Sequence, residues 1–147
     1  MRKRIACACM ILLAAAGCEP RVDPFQQAAG RGDDAHVSAM LRDGTDINAV
    51  DSQGWTALHR ASAAGHDEVV QLLIGQGASV NVRTPAGETS LHLAVRGGHD
   101  ASVRALLMGG ADVRARTDGG LTPYQQALTG GYPEIVDSLV AAGATKE

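Results

Sequence analysis

Gly54, Gly87 and Gly120 stand 33 residues apart, and the residues between them keep the same order of types. "GWTALHRASAAGHDEVVQLLIGQGASVNV" aligns without a gap on "GETSLHLAVRGGHDASVRALLMGGADVRA" and on "GLTPYQQALTGGYPEIVDSLVAAGA". One period earlier, "RVDPFQQAAGRGDDAHVSAMLRDGTDINA" enters the same frame from Arg21. A chain that repeats at a fixed step of this length folds as an array in which each unit packs on its neighbours. The step predicts four copies, at residues 21–53, 54–86, 87–119 and 120–144, sharing one core.

The second copy shows what each unit contains. Thr56 opens a short helix of small residues from Ala57 to Ala64, and Gly65 suits the left-handed turn at its end. A second helix is expected from Asp67, where acidic residues favour the positive end of the helix dipole. Val69, Val70, Leu72, Leu73 and Ile74 give it an apolar side at helical spacing, Gly77 closes it, and "ASVNV" leads into a turn. Ala61, Ala94 and Ala127 share a column that lets helices approach closely, which explains how a core forms with only 3% aromatic residues. The columns Val37, Val70, Val103, Val136 and Met40, Leu73, Leu106, Leu139 are expected to stack into one continuous core.

This period, with its T-x-L-H opening, resembles the ankyrin repeat. The resemblance implies an all-α repeat solenoid: an ankyrin stack of about four repeats, each a helix pair with a β-turn or hairpin, occupying residues 23–147. The first copy lacks the T-x-L-H opening, and the fourth carries Gln125 in the histidine column. Both copies are therefore expected to be caps whose outer faces meet solvent, and the stack to be complete.

The histidines fall into columns. His59 and His92 each follow a threonine, Thr56 and Thr89, by three residues, while His66 and His99 each follow a helix-ending glycine, Gly65 and Gly98. In the family the first column braces the turn through its threonine and nearby backbone, and the second is also scaffold. Catalysis or metal binding needs different ligands to converge on one point, whereas these residues occupy equivalent places about one repeat apart. His36 falls outside both columns and is expected to face solvent. No catalytic residue, metal site or cofactor is expected; the rival reading is a hydrolase using His59, His66 or His92.

Residues 1–17 form a leader of another kind. Arg2, Lys3 and Arg4 precede an uncharged apolar run from Ile5 to Ala16, too short for the roughly twenty residues that span a bilayer. The run ends in "LLAAAGC" and resembles a bacterial lipoprotein signal, although Ala15 stands where leucine is usual. The resemblance implies cleavage before Cys18, a diacylglyceryl thioether on its sulfur and an acylated amine. Cys7, Cys9 and Cys18 are the only cysteines, so the repeats cannot form an internal disulfide. Residues 18–22 would be a short tether reaching about 17 Å at most, which stands the stack directly on the membrane. Glu19 after the cysteine favours the outer membrane by the same resemblance. The rival reading is a cytosolic adaptor whose N-terminus is not a signal.

Setting aside Arg2, Lys3 and Arg4 leaves ten of thirteen basic residues against sixteen acidic ones, a formal charge of −6. Such a body disfavours nucleic acid as a partner. In ankyrin proteins, partners contact the turn tips and the concave face of the first helices. Carried onto this chain, the candidate partner-binding residues at the tips are Ser52, Gln53, Trp55, Arg83, Glu88, Arg116, Asp118 and Leu121. On the first helices they are Arg60, Ala63, Leu93, Arg96 and Gln126. Trp55, in a column with Glu88 and Leu121 and with Arg60, Arg83 and Arg96 expected nearby, has the composition of an interface hot spot. The expectation is a non-enzymatic, lipid-anchored monomer on the periplasmic side of the envelope, binding a protein partner. It would serve as an immunity-type inhibitor or as an accessory scaffold of an envelope enzyme.

Overall fold

A computed structural model of the chain describes residues 23–144. The leader, the tether and Cys18 lie outside the described residues. Eight helices follow one another in pairs: α1 (Pro24–Arg31) with α2 (Asp34–Arg42), α3 (Ala57–Ala64) with α4 (Asp67–Gly75), α5 (Ser90–Gly97) with α6 (Asp100–Met108), and α7 (Pro123–Gly130) with α8 (Pro133–Ala141). First helices pack on first helices and second on second, giving two parallel layers. Among the described residues no strand forms, and the Val50–Thr56 contact is an isolated antiparallel bridge.

Each helix has only eight or nine residues, too few to persist alone in water. Local signals fix their ends, and packing supplies their stability. Pro24, Pro123 and Pro133 occupy first-turn positions, where the missing N–H costs nothing. Gly65 closes α3 at φ 77° in the left-handed region, as the glycine pattern predicts.

The alanine column holds: Ala61, Ala94 and Ala127 are fully buried between layers. Val37, Val70 and Val103 are buried, as are Leu73, Leu106 and Leu139, while Met40 and Val136 at the two ends are only partly covered. Phe25, Leu58, Leu91 and Tyr124 form a further buried column. Burial of each large apolar side chain contributes about 1.5–3 kcal/mol, and every internal copy shares that gain with both neighbours.

The two ends of the stack differ. Copy one turns His36 and Asp33 outward. Copy four exposes Leu121, Leu128 and Val140 at 48%, 54% and 50%. Leu128 occupies the column of Ser62 and Val95, both fully buried by the next copy. Its exposure follows from its position, because no copy covers it among the described residues.

Candidate interaction surface

The histidines are built into the frame. The Thr56 N–H donates to His59 Nδ1 at 3.0 Å, and the His59 N–H donates to Thr56 Oγ1 at 3.2 Å. Because Nδ1 accepts, the proton lies on Nε2, which donates to the Val82 carbonyl of the next turn at 2.9 Å. His92 repeats this with Thr89 N–H at 3.2 Å and the Leu121 carbonyl at 3.1 Å. Burial pushes both imidazoles below their ordinary range, against the opposing pull of those carbonyls. Both rings are fully buried, with both nitrogens held by the protein's own groups, so each braces its turn.

The column has two further members, both glutamines. Gln125 accepts the Thr122 N–H through Oε1 at 3.0 Å. Gln26, one period before His59, is buried and donates through Nε2 to the Ala49 carbonyl at 2.8 Å. Gln26 was open to discovery by stepping the histidine column back once.

His66 and His99 brace the stack differently. Nε2 of His66 donates to the Gly30 carbonyl at 3.1 Å, and Nε2 of His99 to the Ala63 carbonyl at 3.2 Å. Each ring packs on the helix-ending glycine of the preceding copy, Gly32 or Gly65, where a β-carbon would collide with it. A further link escaped the sequence reading: Asn48 Oδ1 accepts the Ser79 N–H at 2.9 Å, and Asn81 Oδ1 accepts the Asp112 N–H at 2.8 Å. Among the described residues, no cluster of three or more His, Cys, Asp or Glu side chains is placed to hold a metal ion.

Trp55 belongs to a different kind of arrangement. Asp51 is buried and accepts the Gln53 and Trp55 backbone N–H groups at 2.9 and 3.0 Å, which ties down the turn. Its other oxygen takes Arg60 Nε at 2.9 Å and Nη2 at 2.5 Å. Burial alone would raise the Asp51 pKa. The Trp55 N–H, the Arg60 guanidinium and the Gln53 N–H together outweigh it and hold the carboxyl below its ordinary value. The guanidinium carbon lies 4.7 Å from the centre of the Trp55 ring, a cation–π contact, and Nη2 also donates to Gln53 Oε1 at 2.8 Å. The indole meets His59 edge-on at 6.2 Å between centroids.

The half-buried indole and Arg60 form one wall of an open cavity of about 430 Å³, with Gln26, Gly30 and Arg31 opposite and Ala63 between. Small residues at Gly30 and Ala63 leave the space, and the Asp51 anchor fixes the cation beside it.

The other candidate positions divide. Ser52, Arg83, Arg96, Arg116, Asp118 and Leu121 are exposed, while Ala63, Glu88 and Gln126 are half-buried. Arg83 turns to the Arg116 carbonyl and Asp118, and Arg96 pairs with Glu88, so Arg60 is the cation that meets the indole. Leu93 is corrected. It shares the column of Arg60 and Gln126, but only 1% of it is exposed, so it is a packing residue and not a partner contact.

A family model described as ankyrin repeats (3 copies) matches residues 3–84 and 68–147. Together with the stacked helix pairs, this shows that the chain belongs to the ankyrin repeat family, which is generally non-enzymatic and supplies protein–protein interaction modules. No curated protein gives a significant match.

Proposed function

We propose that this chain is a non-catalytic, exported and lipid-anchored module that holds a protein partner against the bacterial envelope. The observation that carries the binding part is the Trp55–Arg60–Asp51 arrangement. A half-buried indole lies under a guanidinium that a buried carboxylate fixes beside an open cavity. Little side-chain entropy remains to be lost on binding, and tryptophan and arginine are the residues that most often dominate interfaces. The tips bearing Ser52, Gln53, Arg116 and Asp118 extend the same surface. The anchoring part rests on Arg2, Lys3 and Arg4, the apolar run and Cys18. Retention of an envelope toxin or support of an envelope enzyme both suit such a module.

Pull-down from envelope membranes, with wild type beside W55A, tests the binding reading: the partner should be lost with the ring while the fold persists. Equal recovery would reject Trp55 as the contact. Metabolic labelling with a clickable fatty acid tests the anchor. Wild type should label and C18S should not; a cytosolic adaptor would label in neither.

A further inference from the structure

The two helix layers differ in charge. The first helices, α1, α3, α5 and α7, carry Arg31, Arg60 and Arg96 and no carboxylate. The second helices carry Asp34, Asp67, Glu68, Asp100, Glu134 and Asp137 against Arg42 and Arg104. A chain of formal charge −3 thus sets an arginine-bearing layer against an acidic one. Arg31 and Arg60 line the 430 Å³ cavity of that first layer, and Arg96 shares the column of Gly30 and Ala63, which line it too. Asp23 caps α1 eight residues before Arg31, about 12 Å along the axis.

Two of these arginines are paired, and the pairs have a direction. Arg60 binds Asp51 and Arg96 binds Glu88, yet in each pair the cation is the outer member. The arginine side chains are 25% and 55% exposed, against 1% and 12% for their carboxylates. Each carboxylate therefore fixes a guanidinium from beneath and leaves the cation as what a visitor meets. Arg60 commits Nε and Nη2 to Asp51 and Gln53, so Nη1, with two N–H groups, carries no bond among the described residues.

A guanidinium held along one edge presents its other edge as a fork that matches a carboxylate. Packed helices lie about 8–10 Å apart, so arginines on neighbouring first helices suit acidic side chains spaced roughly that far along a strand laid across them. Gly30, Ala63 and Gly97 leave room for a main chain, and the indole offers an apolar wall. A single nucleic-acid strand would stack its bases on a row of rings, whereas Trp55 is the only ring that lines this cavity. We propose that the inner face of copies one to three takes an acidic, extended segment of the protein partner, its carboxylates on Arg31, Arg60 and Arg96 beside Trp55. This rests on the reading of Trp55 as the partner contact and adds the partner's chemistry to it.

The probe is a glutamate peptide of about ten residues, free of aromatic side chains and titrated into the full chain. Trp55 is the only tryptophan, so its emission reports the groove. The peptide should change that emission, and should bind more weakly as salt rises through about 0.1 M, where the Debye length is about 10 Å. R31Q and R96Q should each weaken binding about two- to fivefold, the range of an exposed ion pair. R42Q, on the second helices, should not, and circular dichroism confirms that the variants fold. Unchanged emission overturns the proposal, as does an equal response to a lysine peptide or to a single-stranded oligonucleotide of similar length. So do R31Q and R96Q that bind as wild type does. In the envelope pull-down, a chain carrying both R31E and R96E should lose the partner as W55A does. Recovery by that chain where W55A fails overturns the acidic segment and leaves the Trp55 contact standing; recovery by W55A rejects the contact itself.

Discussion

The His99 ring rests on the α-carbon of Gly65 from the preceding copy, where a β-carbon would meet Cγ at 2.8 Å. That ring also donates to the Ala63 carbonyl, so it cannot swing aside without giving up a hydrogen bond. Gly131 has nearly the same backbone angle, φ 73° against 77°, and among the described residues nothing lies within 4 Å of where its β-carbon would stand. The two glycines therefore separate the cost of a strained backbone from the cost of a blocked seat. G131A should lose about 1–2 kcal/mol from the left-handed backbone alone. G65A should lose that and about 1–3 kcal/mol more from overpacking. Urea denaturation of the pair measures the difference, and equal losses would show that the seat contributes nothing.

Acid should destabilise the stack through its braces. His59 and His92 titrate below their ordinary value near 6.5 when folded, so below that pH the unfolded chain binds more protons than the native one. Stability is full above about pH 6.5 and declines as pH falls through the lowered native values. Asp51, also lowered, from an ordinary value of 3.8, adds a loss confined to more acid solution. H59Q and H92Q copy the glutamine already present at position 125, and should flatten the decline that sets in below about pH 6.5 while lowering stability at neutral pH. A slope unchanged in the double variant would assign the acid sensitivity elsewhere.

Position 51 separates the turn from the cation. Thr84 and Thr117 hold the equivalent turns through Oγ1, each accepting an N–H at 3.2 Å. D51T should therefore keep the Trp55 turn and cost about 1–2 kcal/mol, while releasing Arg60 from its anchor. Tryptophan fluorescence follows the release, and partner affinity should fall with it. A variant that binds as wild type does would show that a fixed Arg60 is not needed.

Leu93 and Gln126 provide a matched test of the correction made to the surface. Leu93 is buried and L93A should cost about 2–4 kcal/mol. The half-buried Gln126 should tolerate alanine within about 1 kcal/mol. Calorimetry of both decides it; a neutral L93A would restore Leu93 to the surface.

The helix bounds were legible because they depend on local chemistry. Thr56, Gly65 and Asp67 announce Ala57–Ala64 and Asp67–Gly75 within the chain itself. The scaffolding role of His59 and His92 was legible because one step of 33 accounts for both. Leu93 was misread because a shared column fixes where a residue points and not what its neighbours cover: Arg60 reaches back to Asp51, while Leu93 has no polar group to carry it outward. The exposure of Leu128 was obscured by the polar residues of copy four, such as Gln125 and Gln126, which lie elsewhere on that copy. The Asp51–Arg60 pair escaped notice because Asp51 departs from Thr84 and Thr117, and its partner lies nine residues on.

Two sets of bonds between copies keep their offset from one seam to the next, 31 for Asn48 to Ser79 and Asn81 to Asp112, and 36 for Gly30 to His66 and Ala63 to His99. An insertion or deletion of one whole unit leaves every such offset intact. A slip of a few residues within a unit breaks several of them together. Lengthening or shortening this molecule is thus quantised, and a gene rearrangement that kept the reading frame but not the unit would yield a chain unable to settle.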